Sequence, residues 1–252
     1  MARAALPGRL TWQIATVLEL VEETPRTKSI VLRAPDWRGH LAGQHVDVRL
    51  TAEDGYQAQR SYSIASAPED PELVLTVEEI RDGEVSPYLV DELQAGDELE
   101  VRGPIGGYFA WDNAATEPLL MLAGGSGIVP FRAMLRTWAA GPRHAMPRLV
   151  YSSRTLADVI YRDELMQFAT RDQVDVRFVL TREWPDGWDG HRGRVDRELL
   201  EMVAWPEAGD PIAFVCGPNG FVESVARALM DIGYPSDRIR TERFGPSGGA
   251  LA

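Results

Sequence analysis

The chain holds one cysteine, Cys216, and that scarcity excludes two things. No disulfide can form within it, and it cannot by itself hold an iron–sulfur cluster needing about four thiolates. Histidine is nearly as rare: His40, His45, His144 and His191 are scattered without the spacing of a ligand set, so no metal is expected. Lysine is almost missing, Lys28 standing alone among 26 basic residues. No apolar run approaches the roughly 20 residues of a membrane helix. Residues Met1 to Pro7 lack the apolar stretch of about 7–15 residues that marks a secretory signal. The expectation is a cytoplasmic protein with no membrane partner.

Positive charge is in deficit as well. The formal net charge is −12, and residues 61–115 hold 13 acidic against 2 basic residues, while residues 1–60 hold 7 against 8. Such a balance argues against nucleic acid or an anionic membrane as partner, and the acidic block reads as a solvated face. What is present is globular: 44% hydrophobic and 25% charged residues over 252 positions. That length suits two domains of about 100–150 residues better than one.

The two halves differ in pattern. Six short β-like runs, at 11–17, 28–33, 45–50, 60–64, 73–77 and 98–102, are broken by Gly, Pro and Asp turns and predict a small antiparallel barrel. One helix is predicted inside it over Ser86–Leu93, with Ser86 as N-cap and Pro87 at the first helical position. Beyond residue 117, strands at 119–122, 148–151, 174–180 and 212–216 alternate with helices from Pro130 and near 160–169, 196–202 and 221–231. Alternation of this kind predicts a parallel sheet with ligands at the carboxyl ends of its strands. The fold class is therefore a β-barrel plus α/β, with a barrel domain over 1–114, a parallel-sheet domain over 115–252 and a frayed tail at 247–252.

Three strings carry chemistry. In Arg60-Ser61-Tyr62-Ser63-Ile64 the strand period puts Arg60 and Tyr62 on one face, a cation beside an aromatic ring, which suits a flat, phosphate-bearing cofactor. Taken alone, Arg60 is an ordinary surface arginine. Gly124-Gly125-Ser126-Gly127-Ile-Val-Pro130 follows an apolar strand and opens a helix, where bare backbone N–H groups attract phosphate. Alone, it is a tight turn. Cys216-Gly217-Pro218 ends the last predicted strand, and the thiol by default is a small buried hydrophobe. Asp82-Gly83-Glu84-Val85-Ser86 offers a second anion-seeking turn.

In this order the strings resemble the ferredoxin–NADP reductase family of flavoproteins, over roughly residues 10–245. The resemblance implies a flavin-binding barrel followed by a nucleotide-binding α/β domain. It implies FAD, with FMN the lesser alternative, and NADPH or NADH as co-substrate. It places Arg60 on the flavin phosphate, Tyr62 on the ring or ribityl chain, and Ser63 near flavin N5, with the Gly83–Ser86 turn facing the flavin pyrophosphate. Ser61, Ile64, Thr76, Val77 and Val85 complete the candidate flavin set. Gly124, Gly125, Ser126, Gly127 and Pro130 would hold the dinucleotide pyrophosphate, with Arg154 in the same set. Thr181-Arg182, assisted by Arg194, stands where NADPH-using relatives carry 2′-phosphate ligands; the bland reading of Arg182 is a solvated strand end. Cys216, Gly217 and Pro218 would border the nicotinamide, the thiol in a positioning role.

Phe244 stands where relatives place an aromatic near the flavin, and the eight residues after it resemble a linker toward an iron–sulfur domain. Ser63, Cys216 and Phe244 are the candidate catalytic residues. The implied activity is hydride transfer from NAD(P)H to FAD, with electrons passed to a separate acceptor such as a ferredoxin, which would dock near Arg26, Lys28, Arg33 and Arg38. The alternatives are a reductase of free flavin or a quinone, and a non-catalytic electron-transfer or flavin-sensing subunit.

Overall fold

The computed structural model describes residues 10–204 and 210–245; the tail expected to fray at 247–252 lies outside them. Strands β1 (Gln13–Thr24), β2 (Thr27–Arg33), β3 (His45–Thr51), β4 (Gln57–Ser63), β5 (Leu73–Glu78) and β6 (Glu98–Ile105) form one antiparallel sheet in the order β4-β3-β6-β1-β2-β5. Each of the six overlaps a predicted run. Their inward positions, among them Ile30, Leu32, Val46, Val48, Leu75, Val77 and Val101, are fully buried and form one apolar cluster. The sheet curls until its edges meet. Ile64, just past β4, bridges Leu75 of β5, and the Ala65 N–H donates to the Val74 carbonyl at 2.8 Å. Closure leaves no open edge at this end of the barrel.

The helix expected over Ser86–Leu93 takes another form. It is a five-residue π-helical turn, Tyr88–Glu92, with Pro87 in the cap position and no side chain capping it. Ser86 Oγ instead accepts the Ile80 N–H at 3.0 Å, closing the loop between β5 and the turn. Burial of Leu89 and Val90 against the barrel decides the local winding here, as tertiary packing commonly does in so short an element.

The second half is a parallel sheet of β7 (Leu119–Gly124), β8 (Pro147–Ser153), β9 (Asp175–Leu180), β10 (His191–Arg192), β11 (Ile212–Pro218) and β12 (Ile239–Phe244), in the order β10-β9-β8-β7-β11-β12. Helices α1 (Val129–Ala140), α2 (Arg162–Arg171), α3 (Arg197–Val203) and α4 (Asn219–Asp231) connect them. Every residue of β7 is buried, as a central strand covered on both faces requires. The predicted strands and helices are all present; β10 and β12 were not foreseen. The Asp196 carboxylate caps α3 by accepting the Leu199 N–H at 2.9 Å.

The two sheets share a seam. Ala42, Ala65, Phe109 and Trp111 from the barrel half join Phe131, Met134 and Phe214 in one apolar cluster, with Phe109 edge-on to Phe214 at 5.1 Å. Around it lie polar ties. Arg136 of α1 binds Asp70 at 2.8 Å and Glu164 at 2.9 Å, Arg132 binds Glu164 at 2.6 Å, and the Tyr161 hydroxyl meets that of Thr76. Burial alone would raise the Asp70 pKa, but the Arg136 guanidinium and the Ala67 N–H outweigh it and hold the carboxyl below its ordinary value.

One glycine fixes how β7 and β11 run into the loops above them. A Cβ on Gly127 would sit 2.1 Å from the Cys216 carbonyl oxygen, which is backbone and cannot step aside. Gly127→Ala is expected to destabilise the fold by about 1–3 kcal/mol or more, the scale of an overpacked core. The check is the urea midpoint at unchanged m-value; an unshifted midpoint would remove this contact from the account.

Candidate active site

Strand order reverses between β7 and β11, and in open α/β sheets the crevice above such a point is where ligands bind. Ala123 and Cys216 stand opposite each other there. β7 ends in the tight turn Gly125–Ile128, and α1 follows with Pro130 in its first turn. Gly125 has φ +56°, a conformation that glycine adopts without strain. Above the turn is a cavity of about 610 Å³, lined by Gly124, Gly125, Arg154, Thr181, Arg182, Arg194, Pro218 and Phe244. All eight belong to the set read from the sequence.

The cavity also has walls that sequence reading missed. Thr24, Arg26, Thr27 and Glu78 come to it from the barrel, and Ser152, Ser153, Asp158 and Phe221 from the second half. Its cations are Arg26, Arg154, Arg182 and Arg194, against the carboxylates Glu78 and Asp158. Ser153 Oγ is buried without a hydrogen-bond partner, an orphaned polar atom on the lining, while the Thr181 hydroxyl donates to the Ser153 carbonyl at 3.1 Å. A glycine turn at a helix start, four guanidiniums and an unused hydroxyl are the donor set of a polyanion site. They fit a dinucleotide.

The barrel carries the other candidate elements, which are not among the residues lining that cavity. Arg60, about half exposed, donates to Glu84 at 2.6 Å, and the Tyr56 hydroxyl donates to the same carboxylate at 2.7 Å. Glu84 lies in the Gly83–Ser86 turn, so the two predicted phosphate elements are neighbours in space. Tyr62 packs on the barrel core, and burial pushes its hydroxyl well above the usual range, leaving it protonated. A half-exposed guanidinium, a ring and the Ser63 hydroxyl on one strand end fit a phosphate-bearing aromatic cofactor. Other members of the candidate set turn elsewhere. The Ser61 hydroxyl donates to Asp47 at 2.7 Å on the opposite strand face, Ile64, Val77 and Val85 point into the core, and the Thr76 hydroxyl meets Ser29 and Tyr161. Ile64, Thr76, Val77 and Val85, all buried, have only their backbone left for a ligand.

Ser63 and Cys216 are joined by an unforeseen pair. Ser63 faces His45 in the β3–β4 register, Cys216 faces Glu242 in the β11–β12 register, and His45 Nδ1 lies 3.5 Å from Glu242 Oε1. These partners are too far apart in sequence for any local pattern to reveal them. Glu242 Oε2 is buried and unpartnered. Cys216 is 1% exposed, and burial, reinforced by Glu242, raises its thiol well above the ordinary range. A neutral thiol is no nucleophile. Of the four cations expected to receive an acceptor, Arg26 lines the cavity and the Lys28 ammonium donates to the Val90 carbonyl, while Arg33 and Arg38 are exposed.

Comparison with known proteins agrees with this geometry. Residues 19–110 match the oxidoreductase FAD-binding domain and residues 121–227 the oxidoreductase NAD-binding domain. The chain thus carries the FAD-binding and NAD-binding domains of oxidoreductases, in that order. Ferredoxin–NADP reductase B of Sorangium cellulosum is 33% identical over 230 residues, 88% of this chain and 93% of that one. The glycine betaine monooxygenase reductase subunit of Pseudomonas aeruginosa is 35% identical over 208 residues, covering 81% of this chain but only 56% of the relative. The flavohem-like FAD/NAD binding domain of nitric oxide dioxygenase from Vibrio cholerae superposes with a TM-score of 0.81 at 26% identity, over 93% of this chain and 99% of that one. This chain belongs to the ferredoxin–NADP reductase family. Among the described residues no helix is long and apolar enough to cross a membrane.

The buried thiol makes a simple test of the cleft's packing. Cys216 should not react with a disulfide reagent in the folded protein and should react once per chain in denaturant. Rapid labelling of the native protein would mean that β11 opens at its carboxyl end.

Proposed function

We propose that the protein takes a hydride from NADPH onto FAD and passes the electrons to a separate iron–sulfur protein of ferredoxin type. The observation that supports this is the approach of the two halves: His45, paired with Ser63 in the barrel, lies 3.5 Å from Glu242, paired with Cys216 at the sheet's switch point, beside a cavity lined by the glycine turn and four arginines. Bound FAD supplies acceptance of electrons as a pair and their release one at a time. The chain supplies placement. Arg60 and the Gly83–Ser86 turn hold the flavin phosphates, Tyr62 covers the ring, and Ser63 hydrogen-bonds near its reacting nitrogen. Gly124–Gly127 receive the dinucleotide pyrophosphate at the start of α1, and Arg182 with Arg194 receive the 2′-phosphate. Cys216, Gly217, Pro218 and Phe244 shape the gap in which the nicotinamide meets the flavin, since hydride transfer depends on proximity and orientation.

The units of this machine are residues 1–114 and 115–252. With one thiol, residues 1–252 cannot themselves hold an iron–sulfur centre, so such an acceptor lies outside them. The Pseudomonas relative, named as the reductase subunit of a monooxygenase, supports a protein acceptor. A buried free thiol and a nicotinamide donor favour a cytoplasmic setting.

Stopped-flow mixing with NADPH tests the reading directly: the flavin absorbance should bleach rapidly. Absence of bleaching with both NADPH and NADH would overturn it. Arg60→Ala is expected to weaken FAD retention by about 10–150-fold, the scale of a hydrogen bond to a charged group; unchanged affinity would take Arg60 out of the site. Arg182→Ala should lower kcat/KM for NADPH by about 10–150-fold and leave NADH nearly unchanged. An equal loss with both donors would show that Arg182 serves the fold and not the 2′-phosphate.

A further inference from the structure

Glu78 ends β5, and its carboxylate leans over the glycine turn of the other half: a Cβ placed on Gly125 would lie 3.6 Å from Glu78 Oε2. The other oxygen, Oε1, is 3.5 Å from Arg26 Nη2 and 3.3 Å from Arg154 Nη2. Asp158 completes a quartet, 3.9 Å from Arg26 and 3.8 Å from Arg154. Arg26 and Glu78 come from the barrel, Arg154 and Asp158 from the segment after β8, and all four line the cavity. Two cations and two anions thus stand in balance on one wall. Their side chains are 26–38% exposed, so water reaches every partner. Ion pairs at such exposure are individually weak and can be exchanged.

The position of Glu78 gives the balance a consequence. An anion approaching the N–H groups of the turn meets a carboxylate held over the same turn, and two of the guanidiniums best placed to receive it are already engaged. We propose that Glu78 is a displaceable counter-anion that sets the affinity of the cleft for a dinucleotide pyrophosphate, an inference that rests on the dinucleotide reading above. Binding is an exchange. Arg26 and Arg154 leave the carboxylate for the pyrophosphate, which both can grip by charge-assisted hydrogen bonds, and they return to Glu78 when the dinucleotide departs. The pyrophosphate is the same in the reduced and oxidised dinucleotide. Glu78 therefore tunes how tightly substrate and product are held and leaves the hydride step itself alone.

Glu78→Gln keeps the shape and removes the charge. Calorimetric titration of the FAD-loaded wild type and variant with NADP⁺, NAD⁺ and inorganic pyrophosphate at low ionic strength reads the effect without turnover. All three should bind about 3–30-fold more tightly to Glu78→Gln, the range spanned by losing two partly exposed ion pairs, with the NADP⁺/NAD⁺ ratio unchanged. Arg26→Gln, made in parallel, should weaken all three. Unchanged or weaker binding by Glu78→Gln, with the wild type binding normally, overturns the counter-anion and leaves the dinucleotide reading intact. A changed NADP⁺/NAD⁺ ratio overturns the assignment to the pyrophosphate. A wild type that binds none of the three overturns both.

Discussion

Every working part of the cleft hangs on a contact that only a residue without a side chain can make, Gly127 against the carbonyl of Cys216. Parallel strands β7 and β11 lie side by side, yet the chain leaves them in opposite directions, toward α1 and toward α4. The turn after β7 must therefore fold directly over the end of β11. With a Cβ in the way it would ride higher, and the N–H groups at the start of α1 would no longer point at the switch point. The direction of α1 follows from the same contact. Arg132 and Arg136 on that helix then reach Glu164 and Asp70, so the close approach inside one sheet also helps place the other sheet.

Two kinds of ion pair meet at the seam, and their exposure separates their roles. Arg132 and Glu164 are 17% and 25% exposed and lie beside the apolar cluster of Phe109, Trp111 and Phe131. Removing one partner there strands a partly desolvated charge, a costly change, so that pair fixes α2 against α1, and Arg136 on the same helix reaches across to Asp70 of the barrel half. Arg26, Glu78, Arg154 and Asp158 sit on the wet side of the same seam, around the mouth of the cavity, where exchanging one anion for another costs little. A rigid back and an exchangeable front suit a site that must position two cofactors closely while letting one of them come and go.

Local periodicity carried most of the fold into view before any coordinate. Six barrel strands and four core strands announce themselves by apolar alternation or continuous apolar runs, and the glycine turn by its place between a buried strand and a helix start. What stayed hidden had no local signal. β12 reads Ile-Arg-Thr-Glu-Arg-Phe, and Ile239 alone of its six residues is buried, because an edge strand has one neighbour and much solvent. The π-helical turn depends on Leu89 and Val90 finding the barrel interior. Arg26 looked like a surface cation because nothing in its neighbourhood tells that the β1–β2 turn points at a cavity built largely by the other half of the chain. The His45–Glu242 contact and the Glu78 quartet are meetings across the seam, and no spacing rule reaches that far.

The acidic block over residues 61–115 shows the same limit in its electrostatics. As a string, 13 carboxylates against two arginines read as a solvated, repelling face. In the fold several of them are docking points for arginines from outside the block: Asp70 for Arg136, Glu78 for Arg26 and Arg154, Glu84 for Arg60, and Glu100 for Arg49. Charge separated along the chain is thus partly recombined in space, and the field that an approaching partner feels is set by the carboxylates left over. Arg33 and Arg38 remain exposed on the barrel, whereas Arg26 and Lys28 are turned inward. Of the four cations that the sequence offered as a docking face, two thus remain on the surface, so a count of charges along the chain overstates that face.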